Sequence, residues 1–238
     1  MLGDVVAITG AEVHPLGLGT ISEVFGVDRS DDGLPGFEFA VCAARPGPRR
    51  GAGGLLVDVT HGLDRAATAD LVAIPGWDPD HEPVPDEVIE ALRAAVDRGA
   101  TVLSVCSGVF LLAAAGLLEG RLVACHERHV ERLLARHPDL DIDVDELYIE
   151  DGPIVTSAGT AAGIDACLQV VSRELGADVA HELARRMVPA RRRDDTDDAD
   201  DGYDVDTGDA AVGSGTGGGT GSRPGFVTSL LDWLSGPF

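Results

Sequence analysis

Three short segments constrain the fold more than anything else in the chain: DVVAIT at 4–9, LVAIP at 71–75 and TVLSV at 101–105. Each is continuously apolar, where a strand with one wet face would alternate. Such a run reads as a strand covered on both faces, the kind found in parallel sheets. Weaker strand patterns lie at 37–43 (FEFAVCA), at 54–60 (GLLVDVT, as part of a hairpin) and at 121–125 (RLVAC). Two more short strands lie within 146–156, with DGP as their turn. Helical patterns fall around 19–26, 86–98, 107–118, 127–136, 161–175 and 177–187. In the second of these Val88, Ile89, Leu92 and Val96 share one face, and Gly99 stops the helix. Strands that alternate with helices predict a doubly wound, flavodoxin-like α/β fold with a mostly parallel sheet. Ligands of such folds bind beyond the carboxyl ends of the strands. That rule points to Gly10, Gly76, Cys106 and His126, each just after a predicted strand.

Composition decides which partners are compatible with this fold. The 238 residues carry 41 Asp and Glu against 18 basic residues, a net charge of −23, and all the basic residues are Arg. That charge opposes binding to a nucleic-acid backbone and to an anionic membrane surface. With 4% aromatic residues, the core must be built from Ala, Val, Leu and Ile. No apolar run approaches the ~18 residues of a membrane span, and the N-terminus has no basic region of the signal-peptide kind. Cys42, Cys106, Cys125 and Cys167 are scattered without a CxxC pair, which fits free thiols in a reducing cytoplasm better than a disulfide scaffold or zinc site. His126 and His129 in HERH are spaced i to i+3 with no third ligand in register, so no metal is expected, and no cofactor.

The composition changes after residue 193. Residues 194–225 are rich in Asp and Gly and nearly free of large apolar side chains, so they are expected to be disordered. Residues 226–238 form a short apolar segment in which Phe226, Leu230, Leu231, Trp233 and Leu234 could line one face of a two-turn helix. The expected organisation is one domain over 1–193, the acidic tail, and this terminal segment.

The strongest chemical signal is Cys106, where a strand turns directly into a helix in TVLSV-CSG-VFLLAAAGLL. A nucleophile elbow has this arrangement, here with Cys in place of Ser. The backbone amides of Ser107 and Gly108 would be free to meet a thiolate, an oxyanion or a ligand carboxylate. His126 ends the next strand and could face the same crevice; a Cys–His pair is the minimum for thiol catalysis. The other three cysteines read as buried filler, and His137 and His181 as surface residues.

TVLSVCSGVFLLAAAGLLEGR, VACHERHVERLLARHPDLDIDVDELYIEDGPIVTSAGTAAGIDACLQVV and GADVAHELARRMV together resemble the PfpI superfamily. That group has a class I glutamine amidotransferase-like fold. More closely, the chain resembles the N-terminal sensor domain of GlxA-type AraC-family transcriptional regulators. The likeness runs over residues 1–189 and includes EVFGVDRSDDGLPGFEFAVCA and LVAIPGWDPD. It implies that Cys106 is the elbow cysteine and His126 the crevice histidine. It implies that Gly76 and Trp77 contribute backbone to an oxyanion site, and that Thr156, Ser157 and Gly159 line the pocket. It also implies a homodimer. Catalytic members place a carboxylate against the cysteine; the matching position is Gly17, with Glu12 and Glu23 nearby but out of register. Protease-like members have His directly after the cysteine, where this chain has Ser107. These departures imply a non-catalytic domain that binds an unidentified small molecule. The alternative is a hydratase-, glyoxalase- or deglycase-type enzyme using Cys106 and His126, with Glu12 or Glu23 replacing the carboxylate. AraC-type regulators continue into two helix-turn-helix units, whereas the 45 residues after 193 are acidic and Gly-rich, so no direct DNA binding is expected.

Overall fold

The computed structural model describes residues 2–187; the predicted acidic tail and the apolar segment 226–238 lie outside the described residues. The strands are β1 (Asp4–Ile8), β2 (Glu12–Val13), β3 (Glu38–Cys42), β4 (Gly47–Gly51), β5 (Leu56–Val59), β6 (Leu71–Ile74), β7 (Thr101–Val105), β8 (Leu122–Ala124), β9 (Asp141–Asp143), β10 (Tyr148–Asp151) and β11 (Ile154–Ser157). The helices are α1 (Pro15–Phe25), α2 (Asp86–Asp97), α3 (Val109–Ala114), α4 (Glu127–Arg136), α5 (Thr160–Leu175) and α6 (Ala177–Met187).

The central sheet has the order β10-β11-β7-β6-β1-β3, with only β10 antiparallel to its neighbour. The flavodoxin-like, mostly parallel α/β fold is therefore present. The continuously apolar strands serve two cores. Val6, Ile8, Val72, Ile74 and Val102 face one way, onto α2 and α3. Val5, Ala7, Leu71, Ala73, Leu103 and Val105 face the other way, onto α1, α5 and α6. A strand whose residues alternate between two dry faces has no polar positions, and this is why those segments do not alternate in sequence.

The predicted hairpin is β4–β5, to which β2 adds in parallel as a separate three-stranded sheet. Three local expectations differ from what is found. The first helix starts at Pro15, not near 19, because Pro at the first helical position is pre-set for helix and lacks only an N–H that would be unpaired there. The predicted helix 107–118 begins as a 3-10 turn over Cys106–Gly108 and its α-helical part ends at Ala114, before Gly116 at φ 69°. The strand at 121–125 does not join the central sheet but pairs with β9, whose Asp-Ile-Asp sequence gives little strand signal.

Candidate functional site

The site forms where β7 ends. Val105 is extended, and Cys106 then takes φ 52°, the one non-glycine residue with positive φ among those described. A left-handed conformation at a side-chain-bearing residue is strained, and the surrounding packing must enforce it. Gly108 supplies part of that packing: a Cβ there would lie 2.7 Å from the Ile74 carbonyl oxygen, so only glycine lets the turn close on β6. Ser107 is buried, and its Oγ accepts a hydrogen bond from the Trp77 amide at 3.3 Å. The Trp77 N–H, expected to face an oxyanion with Gly76, is thus engaged within the protein. Gly76 itself packs on the imidazole of His14, which a Cβ would approach to 2.5 Å.

The half-buried Cys106 sulfur has two side-chain partners. His129 Nε2 lies 3.6 Å away, and Arg128 Nη2 donates to the sulfur from 3.5 Å. Arg128 also donates its Nε–H to His129 Nε2 at 3.2 Å. Arginine can only donate, so Nε2 is the lone-pair nitrogen of that ring and its proton sits on Nδ1. His129 is buried at 8% exposure, edge-on to Phe110, over whose ring the Arg132 guanidinium also lies. Burial first, then the positive Arg128 and Arg132, push its pKa down to about 4. At neutral pH the imidazole is neutral, so a thiolate here would face a guanidinium and not an imidazolium.

The expected thiol partner, His126, takes another position. It is the N-cap of α4, is exposed, and its Nδ1 accepts from the Arg128 N–H at 3.3 Å. Its ring borders the crevice beside Gly159, where a Cβ would lie 3.6 Å from His126 Cδ2, but His129 takes the place on the sulfur. Thr156 and Ser157 turn inward: Thr156 Oγ1 accepts from the Ala124 N–H at 2.8 Å, and Ser157 Oγ donates to the Ser104 carbonyl at 3.1 Å. Both are 1% exposed and tie β11 to its neighbours.

No carboxylate is bonded to the sulfur among the described residues. Gly17 is buried in α1, and a Cβ there would lie 1.9 Å from the Pro75 carbonyl oxygen. Glu23 is engaged with Arg29 at 2.5 Å. Glu12 lines a neighbouring cleft with His14, Trp77, Asp78, His81 and Glu82. The loop that carries Asp78 and Asp80 is tied to α4 by ion pairs with Arg132 and Arg136. Among the described residues no cluster of three or more His, Cys, Asp or Glu could hold a metal, and no helix is long and apolar enough to cross a membrane.

His129 and Arg128 did not emerge as site residues from sequence. A signal was available for His129: with Leu133 it forms the buried i, i+4 stripe of α4, whose first turn abuts the end of β7. Nothing comparable marks Arg128, because its partners come from packing.

The chain is thus a doubly wound α/β domain with a cysteine at the tight turn after a central strand. The DJ-1/PfpI family model matches residues 27–173, and the chain belongs to that family. Among curated relatives, the HTH-type transcriptional regulator CdhR of Pseudomonas aeruginosa is 29% identical over 66% of this chain and 46% of its own length. The isonitrile hydratase of Pseudomonas putida is 30% identical over 58% of this chain and 60% of its own. This chain therefore spans less than two thirds of either relative. Among solved structures, Drosophila melanogaster DJ-1beta superposes with a TM-score of 0.66 at 16% identity, covering 79% of this chain and 98% of that one, a likeness of fold.

Proposed function

We propose that this chain is a sensor-type ligand-binding domain. It holds a small molecule in the crevice of Cys106, Arg128 and His129, does not turn it over, and does not bind DNA by itself. The observation that carries this reading is Gly17 pressed against the Pro75 carbonyl. The position that matches the carboxylate of catalytic members has no room for a side chain, and both groups on the sulfur are nitrogen donors or acceptors. Addition of a thiol to an unsaturated substrate needs a group that takes and returns a proton near neutral pH. His129, with its pKa near 4, is a weak base for that work. Similarity to CdhR supports a place beside regulators, and the charge of −23 opposes a phosphate backbone.

A second reading, a cysteine-dependent hydratase, draws support from the strained Cys106 backbone and from the similarity to isonitrile hydratase. One experiment separates the two. The purified full chain is incubated with isocyanides, methylglyoxal and peptides, and a gel shift with duplex DNA is run at low salt. The expected results are no turnover and no shift. An activity present in the wild type and lost in Cys106→Ala would overturn the sensor reading; tight, salt-sensitive DNA binding would overturn the claim about DNA.

A further inference from the structure

The two most exposed large apolar side chains among the described residues are Leu16, at 70%, and Leu56, at 60%. The fold brings them to one surface. Gly51 packs on the start of α1, where a Cβ would lie 2.9 Å from Pro15 Cγ, and the Gly51 N–H bonds the Leu55 carbonyl at 2.9 Å. The first turn of α1 and the β4–β5 hairpin are thus continuous, and Leu55, itself exposed, adds to the apolar area. Gly19 shares a face of α1 with Leu16, and nothing lies within 4 Å of the Cβ it would carry.

The same surface concentrates positive charge in an acidic chain. Residues 39–57 hold Arg45, Arg49 and Arg50 and no acidic residue. Arg45 and Arg50 are exposed, and Arg49 donates to the carbonyls of Gly10 and Pro48. Among the described residues none of the three forms an ion pair, although Glu12 stands opposite Arg50 in the β2–β4 ladder. Glu12 and Asp58, the acidic residues of this small sheet, leave the three arginines in excess.

A segment that fits such a surface is present in the chain itself. Phe226, Leu230, Trp233 and Leu234 stand at helical spacing, and nine aspartates lie within 194–209. Arg191, Arg192 and Arg193 offset three of those charges and leave six. The last described helix ends on the matching layer: Met187 packs with α1 in one core, and Arg186 pairs with Asp32, past the far end of α1. From there to the apolar surface is the length of α1, about 17 Å. Residues 188–225 would span roughly 35 Å as a random coil, so the distance is covered with slack. Tethering of this kind gives an effective concentration of about a millimolar, and a modest contact then suffices. Val144 and Leu147, also exposed, lie among Asp143, Asp145 and Glu146, which repel the same tail.

We infer that residues 226–238 dock on this chain's own surface at Leu16, Leu55 and Leu56, with the aspartates of 194–209 drawn to Arg45 and Arg50. The contact is independent of what the Cys106 crevice binds. A partner protein that uses this face must first displace the segment.

Trp233 reports the contact, because Trp77, the other tryptophan, is 2% exposed. Acrylamide quenching of the full chain, corrected with Trp233→Phe, isolates Trp233, and a synthetic peptide of residues 222–238 gives the undocked value. Trp233 is expected to be quenched several-fold less in the chain than in the peptide, equally at all chain concentrations. Leu16→Ser combined with Leu56→Ser, both at exposed positions, should restore the peptide value with a native circular-dichroism spectrum. Arg50→Glu should raise quenching at low salt, and Leu122→Ser, at an exposed leucine of β8, should leave it unchanged. A wild-type Trp233 as open as the peptide's overturns the inference whether or not the variants fold. So does shielding that survives loss of both leucines or of Arg50, or that Leu122→Ser abolishes equally. Shielding that fades on dilution overturns it too, because the segment then sits on a second copy. An open Trp233 in a dimer that the double leucine change dissociates gives the face to the second copy itself and likewise overturns it.

Discussion

Gly17→Ala is the most informative single change, because the same contact that excludes a side chain also carries the functional argument. The added Cβ would sit 1.9 Å from the Pro75 carbonyl oxygen, against an ordinary contact of at least 3.4 Å, so α1 or the backbone after β6 must move by about 1.5 Å. The obstacle is backbone and cannot swing aside as a side-chain tip would. Overpacking of this kind costs about 1–3 kcal/mol or more. Replacing glycine by alanine inside a helix returns about 1 kcal/mol at most. The rigidity of a buried carbonyl favours the upper half of that cost, so the net expectation is destabilisation by roughly 1–2 kcal/mol. Gly19, two residues further along α1, has nothing within 4 Å of its virtual Cβ, so Gly19→Ala should stabilise by about 0.5–1 kcal/mol. Urea unfolding followed by circular dichroism measures both, provided the slopes agree. Opposite signs on one helix are the expected result. A Gly17→Ala chain as stable as the wild type would refute the packing argument, and with it the reason for denying this position a carboxylate.

Three further outcomes follow from the same contacts. His129 is held neutral with its pKa near 4 and would titrate near 6.5 when unfolded, so the unfolded chain binds the extra proton between those values. Stability from this group should fall as pH drops from about 6.5 to about 4, by up to about 3 kcal/mol, and no further below that; unfolding curves of wild type and His129→Leu that run parallel across this window would contradict it. Thr156→Val leaves the buried Ala124 N–H without its acceptor and should cost about 1–3 kcal/mol of stability while sparing alkylation of Cys106. In the native chain an aromatic disulfide reagent should titrate one thiol rapidly, that of Cys106. Cys42, Cys125 and Cys167 are buried, and burial pushes the first two up to about 12 and about 11, so they should react only on unfolding.

The site was legible where it depends on chain order and illegible where it depends on neighbours. The turn at Cys106 was readable because a strand, a turn and a run of small residues adjoin in sequence. The choice between His126 and His129 was not, because it turns on the angle at which α4 leaves β8. His126 is used up as the helix cap, and the next inward position, three residues on, reaches the sulfur. The TSAG segment lies beside the cysteine strand, since β11 pairs with β7. Its two hydroxyls, though, were already claimed by backbone partners that no local pattern reveals.

By itself the sequence determined the doubly wound sheet, because continuously apolar strands have no stable home except between two dry layers. It also determined the tight turn at Cys106, because strand and helix meet there without a linker. Only the tertiary structure decided what surrounds the sulfur. Whether α1 can carry a side chain at Gly17 depends on the gap between α1 and the end of β6, and that gap is closed by the Pro75 carbonyl. Which charge faces it depends on the first turn of α4, which brings Arg128 across from a segment more than twenty residues away in the chain. Contacts of that kind are set by how layers pack, and the order of residues along one strand or helix does not encode them.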